Sequence, residues 1–323
     1  MDPRNAKQAA AAMLAKPGCN AKNLALTYAG VVVLFSLLCT GISYGLGIAA
    51  DNTSGLSGLA LRSMYQSGQT VISLASNILI LLWQFGLISV AVGYARGQRM
   101  YSSNLWDGFQ CWGRILRMSL LLMIVALGVF MACTYIATFL FTLSPLSDSL
   151  YLKMESLHIN GASTELTDEL MAQLIPYMGW MFVFFGILLL VIGLPTLYRF
   201  RLCEFALMDD AAGARDAIRI SKLLSQGNRF GMFRLDLSFW WFYLLQVLSI
   251  AVGYLDVILP AAGVKLPIHQ DVAMWIAFCL SLGLQFLITW RFAVPYQTAF
   301  AVYYDRLKED RLPKKPETPP NVW

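Results

Sequence analysis

The stretch ILRMSLLLMIVALGVFMACTYIATFLFTL, residues 115–143, decides the fold: after Arg117 it runs to Leu143 without one charged side chain. A helix needs about 20 mostly apolar residues to cross the ~30 Å hydrocarbon layer of a bilayer. This run is long enough, so lipid is part of the protein's solvent. Five further stretches qualify, at residues 24–50, 70–94, 176–200, 233–255 and 273–303. Composition agrees: of 323 residues 58% are hydrophobic and only 13% charged, with a mean hydropathy of +0.59. The expected fold is all-α, a polytopic transmembrane bundle of six spans (residues 24–307) between a cytoplasmic leader (1–23) and a disordered, proline-rich tail (308–323). The first apolar run far exceeds the ~7–15 residue core of a signal peptide, so it is expected to be retained as a span.

Lys and Arg resist translocation, and their distribution orients the spans. Arg4, Lys7, Lys16 and Lys22 precede the first span, and Arg96, Arg99, Arg114 and Arg117 surround the second loop. Arg199, Arg201, Arg215, Arg219, Lys222, Arg229 and Arg234 fill the fourth, and Arg306, Lys308, Arg311, Lys314 and Lys315 follow the sixth span. Only Arg62, Lys153 and Lys265 fall on the other side, where the third loop (residues 144–175) is acidic. Both termini are therefore expected in the cytoplasm. The net charge of +5 reads as loop bias, and without a basic tract interleaved with aromatics it predicts no nucleic-acid partner. The six cysteines show no C-x-x-C spacing, and His158 and His269 are the only histidines. Neither a disulfide framework, a metal nor a cofactor is expected.

Two cytoplasmic segments have the pattern of amphipathic helices lying on the membrane. In residues 105–116 the apolar Leu105, Trp106, Phe109, Trp112 and Leu116 recur at helical spacing. In residues 209–227 Ala214, Ala217, Ile218 and Leu224 share one side and Arg215, Arg219 and Lys222 another; Asp209 or Asp210 can cap its start and Gly227 its end. Helical extension of the neighbouring span into water is the other reading of each. The order span, basic segment, span occurs twice, which raises an internal repeat as a possibility without residue identity to support it.

No catalytic motif is present: there is no G-x-S-x-G, H-E-x-x-H or G-x-x-x-x-G-K-[ST], so no enzyme is expected. Ionisable groups within or beside the spans are the functional candidates, because burying a charge in lipid costs a few kcal/mol or more. Arg291 stands in WRFAVPY (290–296) and Asp236 in FRLDLSFWW (233–241). Arg291 lies about 24 Å along its helix from Trp275, a depth close to that expected for Asp236. Two readings are open: the pair anchors the fifth and sixth spans together, or Arg291 snorkels to headgroups and Asp236 is wetted at the interface. Pro295, beside Tyr296, is expected to bend the long sixth run. Asn77, Gln84, Gln246 and Gln285 either line a polar path or make single interhelical hydrogen bonds. Glu204, Asp209 and Asp210 among Arg199, Arg201 and Arg215 read as a solvated charge network. The aromatic run at residues 239–243 reads as an interface belt rather than a ligand cage.

The segments LYRFRLCEFALMDD (197–210), AIRISKLLSQGNR (217–229), FRLDLSFWW (233–241) and VPYQTAFAVYYDRL (294–307), with AKQAAAAML (6–14) and DGFQCWGR (107–114), resemble the bacterial integral membrane family called domain of unknown function 975. The chain departs from the family pattern at SQGNR, where the family has methionine before the glycine and lysine after it, and in its more aromatic SFWWF. The resemblance implies a multi-pass protein of the bacterial cytoplasmic (inner) membrane with about six spans. It carries no activity with it. Two functions follow as expectations: transport or export of a hydrophobic or amphipathic molecule, alone or as the membrane subunit of an assembly; or a non-transporting scaffold or regulator whose basic face (Arg215, Arg219, Lys222) recruits anionic lipid or another protein.

Overall fold

The computed structural model describes residues 3–16, 19–51, 56–149, 151–152, 179–209, 213–255, 259 and 270–312, and no strand occurs among them. The expected acidic loop from residue 153 onward, both histidines, Asp210 and the tail from residue 313 lie outside the described residues. In chain order come α1 (Pro3–Leu14), α2 (Ala21–Asp51), α3 (Leu56–Ala95), a 3₁₀ turn (Ser102–Trp106), α4 (Asp107–Gln110) and α5 (Trp112–Thr142). They are followed by α6 (Gly179–Asp209), α7 (Ala214–Ser225), α8 (Arg229–Leu237), α9 (Trp240–Gly253) and α10 (Gln270–Arg311).

Among the described residues five helices, α2, α3, α5, α6 and α10, are long and apolar enough to cross a membrane. The expected fifth span is instead a pair, α8 and α9, meeting at 61°. Alone, α9 has 14 residues, about 21 Å at 1.5 Å per residue and too short to cross. Counted as one broken span, the pair makes a sixth. Proline was the expected source of a break, yet α10 runs unbroken through Pro295 for 42 residues. The break falls at Ser238 and Phe239, where Lys7 of α1 donates to the Ser238 carbonyl at 2.7 Å and lies 4.4 Å from the centre of the Phe239 ring. A helix break frees carbonyls, and the ammonium satisfies one of them. The leader is thus a packed helix, with Ala6 and Ala10 buried against the bundle.

The first expected amphipathic helix is not formed as one piece. The chain turns at Gly97 (φ 73°) and runs back along α3, so that Leu105 meets Gly86 and Gly108 meets the Leu82 carbonyl. A Cβ at either glycine would collide with backbone carbonyl, which is why this contact excludes any other residue. The hydroxyl of Ser89 donates to the Asp107 carboxylate at 3.0 Å and fixes the register. Of the expected apolar side Leu105 is buried and Phe109 half-buried, whereas Trp106 and Trp112 are exposed, and the partner of this segment is α3. The second segment is helix α7, begun at Gly213 without a side-chain cap and followed by Gly227 at φ 74°. Its Ala217, Ser221 and Leu224 are buried against protein while Arg215 and Arg219 face outward.

Helix α10 is the hub, packing on α1, α2, α3 and α9. The dense core lies where α3, α6 and α10 converge, around Ile88, Phe205, Phe300 and Tyr304. Elsewhere large apolar side chains are turned outward, among them Leu34, Leu127, Leu190 and Val247. Such a surface fits contact with a lipid bilayer.

Candidate functional site

The break between α8 and α9 creates the site. Asp236 and Tyr243 are seven residues apart, about 10.5 Å along a straight helix. With the 61° bend the Tyr243 hydroxyl donates to Asp236 Oδ1 at 2.8 Å. Tyr296 of α10 donates to the same oxygen at 2.6 Å, and Tyr198 of α6 donates to Oδ2 at 2.5 Å. The Tyr243 and Tyr296 hydroxyls are also 2.8 Å apart. One carboxylate, only 8% exposed, thereby ties α6 and α10 to the bent pair. Three hydroxyl donors satisfy the acceptors of a buried carboxyl group, the condition under which such a group is tolerated in an apolar setting.

Arg201 completes the cluster. On α6 the residues Tyr198, Arg201 and Glu204 recur every three positions and share one side. Arg201 Nη2 donates to the Tyr296 hydroxyl at 2.5 Å, and its guanidinium stacks 4.9 Å from the centre of the Phe300 ring. Glu204 stands 3.8 Å from Arg201 Nη1, a charge contact too long for a hydrogen bond. Among the described residues its buried Oε2 has no hydrogen-bond partner. Arg201 and Glu204 also close one end of a cleft of about 650 Å³ between α5 and α6. Apart from Ser119 and Thr196 the rest of the wall is apolar: Leu122, Val129, Phe130 and Leu197 are typical, and the π turn Leu189–Gly193 of α6 contributes Leu189 and Gly193. π turns widen a helix locally and recur at functional sites.

Asp236 therefore does not meet Arg291. Arg291 precedes Tyr296 by five residues, which places it about 140° around α10 from the tyrosine that reaches Asp236. It is exposed, as an arginine at the lipid interface would be. Pro295 does not interrupt α10, and only Tyr296 of that motif enters the cluster. The aromatic run divides: Trp240 and Trp241 stack on each other facing outward, while Phe239 and Phe242 pack on Tyr296. Tyr198 and Arg201 carried no special signal beyond their place in LYRFRLCE, and their three-residue spacing with Glu204 was the one available pointer.

Asp209 is not part of a solvated network either. Its side chain is 4% exposed and lies between Arg96 Nη1 at 2.6 Å and Lys308 Nζ at 2.5 Å. Arg96 also holds Asp305 at 2.8 Å, so the ends of α3, α6 and α10 are clamped by charge. The hydrogen bond to Asp209 is the main cause raising the pKa of Arg96 above its ordinary value, against the opposing effect of burial. Of the expected polar path, Asn77 is exposed and Gln84, Gln246 and Gln285 are half-buried apart from the cluster. Ser249 and Ser281 instead join α9 to α10, each hydroxyl donating to the other's carbonyl at 3.1 and 2.9 Å. All six cysteines carry free thiols. Among the described residues no three of His, Cys, Asp and Glu gather as a metal ligand set.

Comparison with known proteins supplies no outside reference: no protein-family model, no curated protein and no solved structure matches the chain.

Proposed function

We propose that the protein is a multi-pass component of a bacterial inner membrane, with six spans and both termini in the cytoplasm, that binds and moves an amphipathic molecule. The observation that carries this reading is the cleft between α5 and α6, lined mostly by apolar side chains and bearing Arg201 and Glu204 as its charged residues. A ligand of matching character has an apolar body and a polar head, and a hydrogen-bond donor on the head would supply what Glu204 Oε2 lacks. The Asp236 cluster holds Arg201 in place beneath it. The bacterial inner-membrane setting rests on the resemblance of the quoted segments to domain of unknown function 975 alone.

The test uses the full-length protein in liposomes with a fluorescent long-chain amine. Ala126→Trp, which fills the cleft, and Glu204→Gln are expected to lower binding and transbilayer flux at least tenfold. Unchanged binding and flux in both variants sinks the proposal. The scaffold reading is favoured by the outward Arg215 and by Arg219, whose side chain is 82% exposed; Lys222 is partly engaged over the Phe200 ring. It predicts no flux, and loss of binding to anionic vesicles when the three cations are replaced by alanine, at about 1 kcal/mol each.

A further inference from the structure

The charged groups at the α5–α6 cleft do not balance. Arg201 stands between two carboxyl groups: its Nη2 donates to the Tyr296 hydroxyl, which donates to Asp236, and its Nη1 is 3.8 Å from Glu204. The two carboxyls are served differently. Three tyrosine hydroxyls donate to Asp236, whereas among the described residues Glu204 Oε2 is buried without a hydrogen-bond partner. Arg201 is itself committed to the Tyr296 hydroxyl and the Phe300 ring. With both carboxyls ionised the group would hold two negative charges against one positive, in surroundings where an uncompensated charge is strongly unfavourable.

Among the described residues no neighbouring charge makes up the difference. Cys203, on the same helix as Glu204, also faces Lys222 of α7, and that ammonium lies over the Phe200 ring. On the far side of Arg201 stand Tyr243 of α9 and Tyr296 of α10. Helix α5 brings Ser119 and no charged side chain to the cleft. Arg96 of α3 and Lys308 of α10 hold Asp209, five residues further along α6, and Lys7 of α1 is exposed at the Ser238 carbonyl. One further positive charge therefore neutralises the site. Glu204 is the carboxyl that can receive it from the cleft: it lines the wall, with its side chain 21% exposed, while Asp236 lies off the wall behind Arg201. An anionic head would instead bring a third negative charge to one guanidinium. The mostly apolar wall requires that the cation be carried on an apolar body.

We infer that the cleft exchanges a proton for the ammonium head of a cationic amphiphile at Glu204. Without ligand Glu204 holds the proton as a carboxylic acid. On binding, its O–H bond breaks, the proton passes to water and the carboxylate pairs with the ammonium, so the charge of the site is unchanged. This rests on the cleft taking an amphipathic molecule, and adds the sign of the head and a coupled proton. Full-length protein in nonionic detergent is titrated calorimetrically with decylamine in two buffers of different ionisation enthalpy, with heats into detergent alone subtracted. At about pH 7 the amine stays an ammonium, so protons reaching the buffer come from the protein. Wild type is expected to bind saturably and to release about one proton per amine, with affinity rising up to about tenfold per pH unit. Decanol, the same body with a neutral head, should bind without release. Glu204→Gln should bind decylamine about tenfold more weakly and release no proton; the wild-type proton count is decisive by itself should the variant not fold. Saturable decylamine binding without proton release, or equal release from Glu204→Gln, overturns the exchange and leaves the binding reading standing. No saturable binding of either probe overturns both.

Discussion

Replacing Asp236 by alanine removes the acceptor shared by Tyr198, Tyr243 and Tyr296. A hydrogen bond to a charged group contributes about 1.5–3 kcal/mol. Tyr243 and Tyr296 share one oxygen and their hydroxyls lie 2.8 Å apart, so they compete for it and the three count as two independent bonds, an upper range of about 3–6 kcal/mol. Interhelical hydrogen bonds in lipid average nearer ~0.6 kcal/mol, with a maximum of ~1.7. Arg201 is left facing Glu204 at 3.8 Å, which restores part of the loss in the charge balance. Together these place Asp236→Ala at about 3 kcal/mol destabilising, and Asp236→Asn, which keeps one acceptor, at about half that. Arg291→Ala should stay within ~0.5 kcal/mol, as surface substitutions do. Unfolding in mixed micelles of rising dodecyl sulfate fraction measures all three. A double-mutant cycle of Asp236 with Tyr296 should couple by about 1 kcal/mol, and with Arg291 by nothing measurable. An Asp236→Ala cost under ~0.5 kcal/mol, or coupling to Arg291 above ~1 kcal/mol, would refute the cluster as described.

The same assay checks the backbone contact. Gly86→Ala and Gly108→Ala should each cost at least about 1–3 kcal/mol, since the new Cβ meets backbone rather than a side chain that could move. Gly113→Ala, with open space at its Cβ, should be neutral or stabilising by up to ~1 kcal/mol. Gly227→Ala must adopt the left-handed region at φ 74° and should cost about 1–2 kcal/mol. Asp209→Asn should cost about 2 kcal/mol, below the range for a fully buried pair because Arg96 and Lys308 are partly exposed. Because Asp209 is itself shielded from solvent, most of that loss should persist in 1 M salt; a cost that vanishes there identifies a surface effect.

The sequence by itself determined the helical, lipid-facing character of the chain. Runs such as residues 115–143 admit no other backbone solution in hydrocarbon, and that depends on composition along one segment alone. It also marked Asp236 and Arg291 as groups in costly positions, because an ionisable side chain amid apolar ones is visible without coordinates, while Glu204 read as one of a solvated charge network. Only the tertiary structure decided what they touch. Arg291 was the obvious partner for Asp236 by charge and depth, but rotation about α10 aims it elsewhere, and three neutral tyrosines take its place. The bend that unites them lies at Ser238 and Phe239, where no proline announces it and Lys7, more than two hundred residues away in sequence, supplies the compensating hydrogen bond. Periodicity likewise gave an apolar side to residues 105–116 without saying that α3 would cover it, since that depends on Gly86 and Gly108 coming face to face. Partner choice is a property of side chains distant in sequence, and a linear pattern records only the tendency of each segment to bury a face.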